Sequence, residues 1–180
     1  MDRATLTPSP ASRGRREPLW TPPAGAGRIT IARDGIERLL PHRDPFLLLD
    51  EITAIDLDAR AITGRRQIAY DDPVFRGHFP DRPIYPGVLQ LEIIGQLGLC
   101  LLHFLAAGST AVTNDTRPRD ARAVRIRNAQ FQEAIAPGDD LTLVCQALEM
   151  DEFIGVCAGQ IWRGGSLCSF GVMEVYFVDG

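Results

Sequence analysis

Lysine is absent from this chain; all 19 basic residues are arginine. No side-chain amine is therefore available for Schiff-base chemistry. Cysteine is limited to Cys100, Cys145, Cys157 and Cys168, with no CxxC pair and none close in sequence to a histidine. That leaves no metal-ligand spacing, and neither a metal nor an organic cofactor is expected. The four lie in apolar stretches and read as small buried thiols in a reducing cytoplasm. Basic charge is in deficit too: 19 Lys+Arg stand against 23 Asp+Glu, a formal net charge of −4, so nothing favours nucleic acid. No apolar signal core follows Met1, and the longest apolar run, 97–107, is short for a bilayer. No internal repeat is visible.

What is present suits a single globular domain of 180 residues with 45% hydrophobic content. Residues 1–27, rich in Pro, Arg, Ser, Gly and Ala, read as a disordered tail on which Trp20 is one candidate anchor; the domain is expected over 28–180. Ile36, Leu39 and Leu40 after Asp34 suggest a short helix over 35–40 stopped by Pro41. Strands are predicted over 46–55 and 61–70, followed by a Pro-rich loop over 71–86. One long helix, apolar almost all round, is predicted over 87–107, with Gly108 as its C-cap. Four more strands come after it, over 121–131, 141–150, 153–162 and 168–178, with turns at Pro137-Gly138 and Gly164-Gly165. The expected class is α+β: about six strands in a curved antiparallel sheet around one buried helix.

The chemistry concentrates in one stretch. His78 stands in Arg76-Gly77-His78-Phe79-Pro80, and Glu92 lies fourteen positions later near the start of the apolar helix. Gly77 lets the backbone pass close to a neighbour, and Pro80 stiffens the chain just after the histidine, a frame that suits an oriented general base. Glu92 has two readings: a structural buried carboxylate, or an acid kept protonated by its apolar surroundings. Gln96, one helical turn on, is placed to orient it. Gly87 opens the helix, where backbone N–H groups lack internal partners and can face an oxyanion. His103, deep in the apolar helix, and His42, in Pro41-His42-Arg43-Asp44-Pro45, read more simply as structural. Base, acid and oxyanion site together suit removal of a proton alpha to a thioester carbonyl with loss of a beta-hydroxyl as water.

These residues resemble a known family. Leu39-Leu40-Pro41-His42-Arg43-Asp44-Pro45-Phe46-Leu47-Leu48-Leu49-Asp50, Gly77-His78-Phe79-Pro80 with Arg82-Pro83, Pro86-Gly87-Val88-Leu89 with Glu92 and Gln96, and Asn128-Ala129-Gln130-Phe131 before Pro137-Gly138-Asp139 are similar, in order and spacing, to the (3R)-hydroxyacyl-[acyl-carrier-protein] dehydratases of the hot-dog fold. The similarity covers about 33–178. It implies catalytic His78 and Glu92, a carbonyl site at Gly87, and supporting roles for Gln96 and Tyr85. It implies a homodimer in which His78 of one subunit meets Glu92 of the other, an acyl tunnel along that interface, and often a trimer of dimers. The partner it implies is an acyl carrier protein bearing a 3-hydroxyacyl group. Glu at position 92 resembles the branch that dehydrates without isomerising.

Tyr85 replaces the usual Met, and Gly95 the usual Ala; Gln132 and Glu133 stand where basic carrier-docking residues are common. Arg122, Arg125 and Arg127 are candidates to replace that patch. Such departures hint at polyketide or other secondary-metabolite synthesis rather than fatty-acid elongation alone. Two other functions remain open on sequence: a hot-dog thioesterase and a non-catalytic acyl-binding subunit.

Overall fold

A computed structural model describes residues 17–23 and 29–178. The elements run β1 (Ile31–Ala32), α1 (Arg33–Leu39), β2 (Glu51–Asp56), β3 (Ala61–Gln67), a 3-10 turn (Pro73–Arg76), α2 (Gly87–Ala107), β4 (Ala121–Phe131), β5 (Asp140–Met150), β6 (Ile154–Arg163) and β7 (Ser166–Phe177). All strand pairs are antiparallel, in the order β1-β2-β3-β5-β6-β7-β4. Among the described residues the sheet has seven strands rather than about six; the addition is β1, two residues long and too short to leave a sequence pattern. Gly164 and Gly165, at φ of 53° and 95°, make the tight turn between β6 and β7, a backbone that other residues adopt poorly.

The expected strand over 46–55 begins only at Glu51. Residues 46–50 are irregular because their backbone is bonded elsewhere: Phe46 and Leu47 N–H both donate to the Arg43 carbonyl, at 2.7 and 2.9 Å. Asp34 also differs from expectation. It lies inside the first turn of α1, whose N-cap is Ala32 without a side-chain bond.

Helix α2 ends where predicted, with Gly108 at φ 59° as a left-handed C-cap whose N–H reaches the Leu105 and Phe104 carbonyls. By length and composition its 21 residues could cross a membrane, which the shorter run read from sequence did not reveal. Most of the helix is instead enclosed by the sheet: Ile93, Ile94, Leu97, Cys100, Leu101, Leu102 and Phe104 are all buried. The close fit depends on small residues beneath it. Gly159 and Gly171 are register partners on β6 and β7. A Cβ on Gly171 would stand 2.9 Å from Leu91, and one on Gly159 would collide with Ile94.

The outer face of β6 and β7 carries a second apolar cluster, Val156, Ala158, Phe170 and Val172, with Leu19 packed on it. Leu19 N–H donates to Gln160 Oε1 at 2.8 Å, and Gln160 Nε2 donates to the Glu17 carbonyl at 2.7 Å. Contacts with the domain thus begin upstream of the boundary expected at residue 28; residues 1–16 and 24–27 of that segment lie outside the described residues.

Gly159→Ala should lower stability by about 1–3 kcal/mol, the usual cost of forcing a methyl into a filled core. Chemical denaturation measures it; an unchanged midpoint would mean that the helix is not seated on this glycine.

Candidate active site

His78 follows the 3-10 turn, with its own N–H bonded to the Val74 carbonyl at 2.9 Å. Phe79 takes a left-handed φ of 63°, and its ring lies 4.1 Å from the imidazole, centroid to centroid. The imidazole Nδ1 is 2.7 Å from the Ile84 carbonyl oxygen. A carbonyl only accepts, so the proton of the neutral ring sits on Nδ1 and the Nε2 lone pair is left for a substrate. The ring opens on a cleft of about 440 Å³ lined also by Tyr85, Gly87, Val88, Phe131 and Glu133.

Gly87 is the first residue of α2, behind Pro86, whose carbonyl accepts from Leu89 and Gln90 N–H. The Gly87 and Val88 N–H groups have no carbonyl one turn back, and both residues line the cleft. The sequence suggested that the missing side chain makes room for a ligand oxygen. In the structure that room borders the Phe131 ring, whose edge would lie 2.9 Å from a Cβ on Gly87. A side chain at position 87 would have to displace that ring.

Glu92 lines a second groove, of about 400 Å³, with Val88, Leu91, Val124, Ile126 and Met173. His78 and Glu92 therefore open into different grooves, and Val88 is the residue lining both. Val88, in the first turn of α2, and Val124 and Ile126, on β4 at the free edge of the sheet, are apolar yet 73%, 55% and 53% exposed, and all three line this groove.

The carboxylate of Glu92 is held from behind. Gln96, fully buried, donates from Nε2 to Glu92 Oε1 and to the Phe46 carbonyl, each at 2.8 Å. Its Oε1 accepts from Leu48 N–H at 2.8 Å. The loop after α1 is thereby tied to the helix through one amide. His42 belongs to the same loop, and its Nε2 lies 3.4 Å from Glu92 Oε1. Sequence reasoning assigned His42 to loop structure and missed this contact. The available signal was its place in the opening segment, but nothing in the spacing links residue 42 to residue 92.

Tyr85 is buried under the cleft, and burial raises its phenol to about 12 against a smaller opposing effect of Arg66. Its hydroxyl has no hydrogen-bond partner among the described residues. It fills space and is poorly suited to proton transfer. His103 is half-buried, and burial, then Arg119, holds it below its ordinary value. Of the three β4 arginines, Arg127 is paired with Glu149 and Glu174, and Arg125 borders the Glu92 groove.

The FabA-like domain family matches residues 40–169. The 3-hydroxyacyl-[acyl-carrier-protein] dehydratase FabZ of Chlamydia pneumoniae is 43% identical over 105 residues, 58% of this chain and 65% of that protein. The dehydratase of the same name from Xanthomonas oryzae pv. oryzae is 35% identical over 142 residues, 79% of this chain and 89% of that one. Among solved structures, the dehydratase heterocomplex ApeI:P from Xenorhabdus doucetiae superposes with a TM-score of 0.62 at 20% identity, covering 79% of this chain and 90% of that one. A thioesterase from Haemophilus influenzae gives 0.51 at 14% identity, over 72% and 78%. At such identities the structural likeness speaks for the fold, which is the expected hot-dog arrangement of an antiparallel sheet around a central helix.

Tyr85→Phe should leave stability unchanged or raise it by about 1 kcal/mol, because it deletes a buried hydroxyl without a partner. A drop in thermal midpoint of several degrees would show that the hydroxyl is bonded in solution.

Proposed function

The chain belongs to the FabA-like domain family of hot-dog dehydratases, and from that premise we propose that it converts a (3R)-3-hydroxyacyl group on acyl carrier protein to the trans-2-enoyl thioester. The observation that carries this reading is the His78 Nδ1 bond to the Ile84 carbonyl, which leaves Nε2 as a base beside the helix N-terminus. His78 Nε2 takes the proton from C2. The electron pair of that bond moves toward the carbonyl, and the negative charge on its oxygen is stabilised by the Gly87 N–H. As the carbonyl reforms, the pair makes the C2–C3 double bond while the C3–O bond breaks. Glu92, in its acid form, gives its proton to the departing hydroxyl, which leaves as water. His78 ends protonated and Glu92 ionised, and return of one proton from the first to the second resets the pair. Glu at position 92 supports dehydration without isomerisation.

The functional unit of this reading is a homodimer, with His78 of one copy completing the Glu92 groove of the other. Two observations support it: the separate grooves of His78 and Glu92, and the exposed apolar side chains of Val88, Val124 and Ile126 around the second of them. A trimer of such dimers is the further assembly. Tyr85, Gly95, Gln132 and Glu133, where relatives of this type carry other residues, favour a specialised acyl substrate such as a polyketide intermediate alongside fatty-acid synthesis. The four unpaired buried cysteines suit a cytoplasmic setting.

The test is mass-spectrometric detection of enoyl product from 3-hydroxyacyl thioesters of several lengths on carrier protein and on a pantetheine mimic. Turnover should fall roughly 10²- to 10⁴-fold in His78→Ala and in Glu92→Gln, with the fold and mass of the assembly unchanged. Undiminished turnover in either variant removes this mechanism. Release of free thiol without enoyl product would identify a thioesterase.

A further inference from the structure

We propose that His42 is a positioning residue that, together with Gln96, fixes which oxygen of Glu92 carries the reacting proton. This rests on Glu92 being the acid of the dehydration.

Gln96 has only one workable orientation. Its Oε1 accepts from the Leu48 amide, so its amide cannot be turned over without setting N–H against N–H. Both Nε2 hydrogens are then committed, one to the Phe46 carbonyl and one to Glu92 Oε1. An oxygen receiving that N–H at 2.8 Å is the acceptor oxygen of the carboxyl. His42 adds to the same oxygen, with Nε2 3.4 Å from Oε1. The tautomer of His42 is set by its other nitrogen. Nδ1 is buried without a hydrogen-bond partner, and a buried N–H left without an acceptor is costly. The proton of the neutral ring therefore sits on Nε2, the nitrogen 3.4 Å from Glu92 Oε1. With the Gln96 N–H bonded to Oε1 and the His42 N–H beside it, the carboxylic proton resides on Oε2, which no described residue engages.

The imidazole is itself fixed. It stacks on Phe46 at 6.1 Å and 30°, and Arg43 pins the loop by donating to the Leu40 and His42 carbonyls at 2.9 and 2.7 Å. The same loop segment thus holds Glu92 twice, through Phe46 and Leu48 by way of Gln96 and directly through His42.

The test compares His42→Phe, which keeps a ring for the stack and removes the N–H, with His42→Gln, which returns an N–H donor at similar reach. Each is made alone and on Glu92→Gln. In His42→Phe, kcat should fall roughly 10- to 100-fold with KM nearly unchanged, the scale expected for a misplaced reacting group. His42→Gln should recover much of that loss. On Glu92→Gln, the His42 changes should add nothing further. Wild-type kcat in His42→Phe overturns the proposal, as does an equal loss in both variants accompanied by a lowered thermal midpoint, which marks packing alone. Glu92→Gln tested by itself keeps the two failures distinct: full activity there removes the catalytic reading of Glu92, whereas an inactive Glu92→Gln beside an unaffected His42→Phe removes only the role of His42.

Discussion

The seating of α2 on the inner face of the sheet is the constraint on which the other features depend. A helix this apolar has to be covered, and a sheet covers it closely only where its own side chains are withdrawn. Gly159 and Gly171 provide that withdrawal under Leu91 and Ile94. Once these branched side chains are buried, the rotation of α2 about its axis is set. Val88, Glu92, Gly95 and Leu99 then fall on the side the sheet encloses least. A carboxylate reaches a groove because its neighbours on the helix are locked inward.

Gln96 converts that fixed helix into a fixed site. It lies on the buried side, four residues after Glu92, where an amide without partners would be costly. Each of its three bonding groups is matched, two by backbone of the loop over 46–48 and one by Glu92. Polar satisfaction in the core and orientation of the carboxylate are here one arrangement. The loop is irregular for the same reason: its amide and carbonyl groups bond to a helix side chain rather than to a neighbouring strand.

Much of this was legible in the chain and some was not. The long helix, its glycine cap and the four later strands are dictated by periodicity and turn residues, which act locally. Glu92, Gln96 and His78 stood out because polar groups in apolar or proline-stiffened settings are conspicuous. The irregular 46–50 segment reads as a strand because Phe46, Leu47, Leu48 and Leu49 are all apolar; the competing bonds come from a residue about fifty positions away. The same distance hid His42. Phe131 beside Gly87 was equally invisible, since a glycine that makes room for a ring and one that makes room for a ligand look alike in sequence.

The bond from the Leu48 amide to Gln96 gives the site an internal reporter. That amide is shielded from solvent only while the loop stays latched to the helix, and the same latch aims Glu92. Its deuterium uptake therefore measures how often the Glu92 carboxylate is released from Gln96, as a free energy of local opening distinct from that of global unfolding. In the proposed mechanism, motion of a loop that carries a positioning residue but no catalytic group becomes a quantity that bounds the fraction of molecules competent to react.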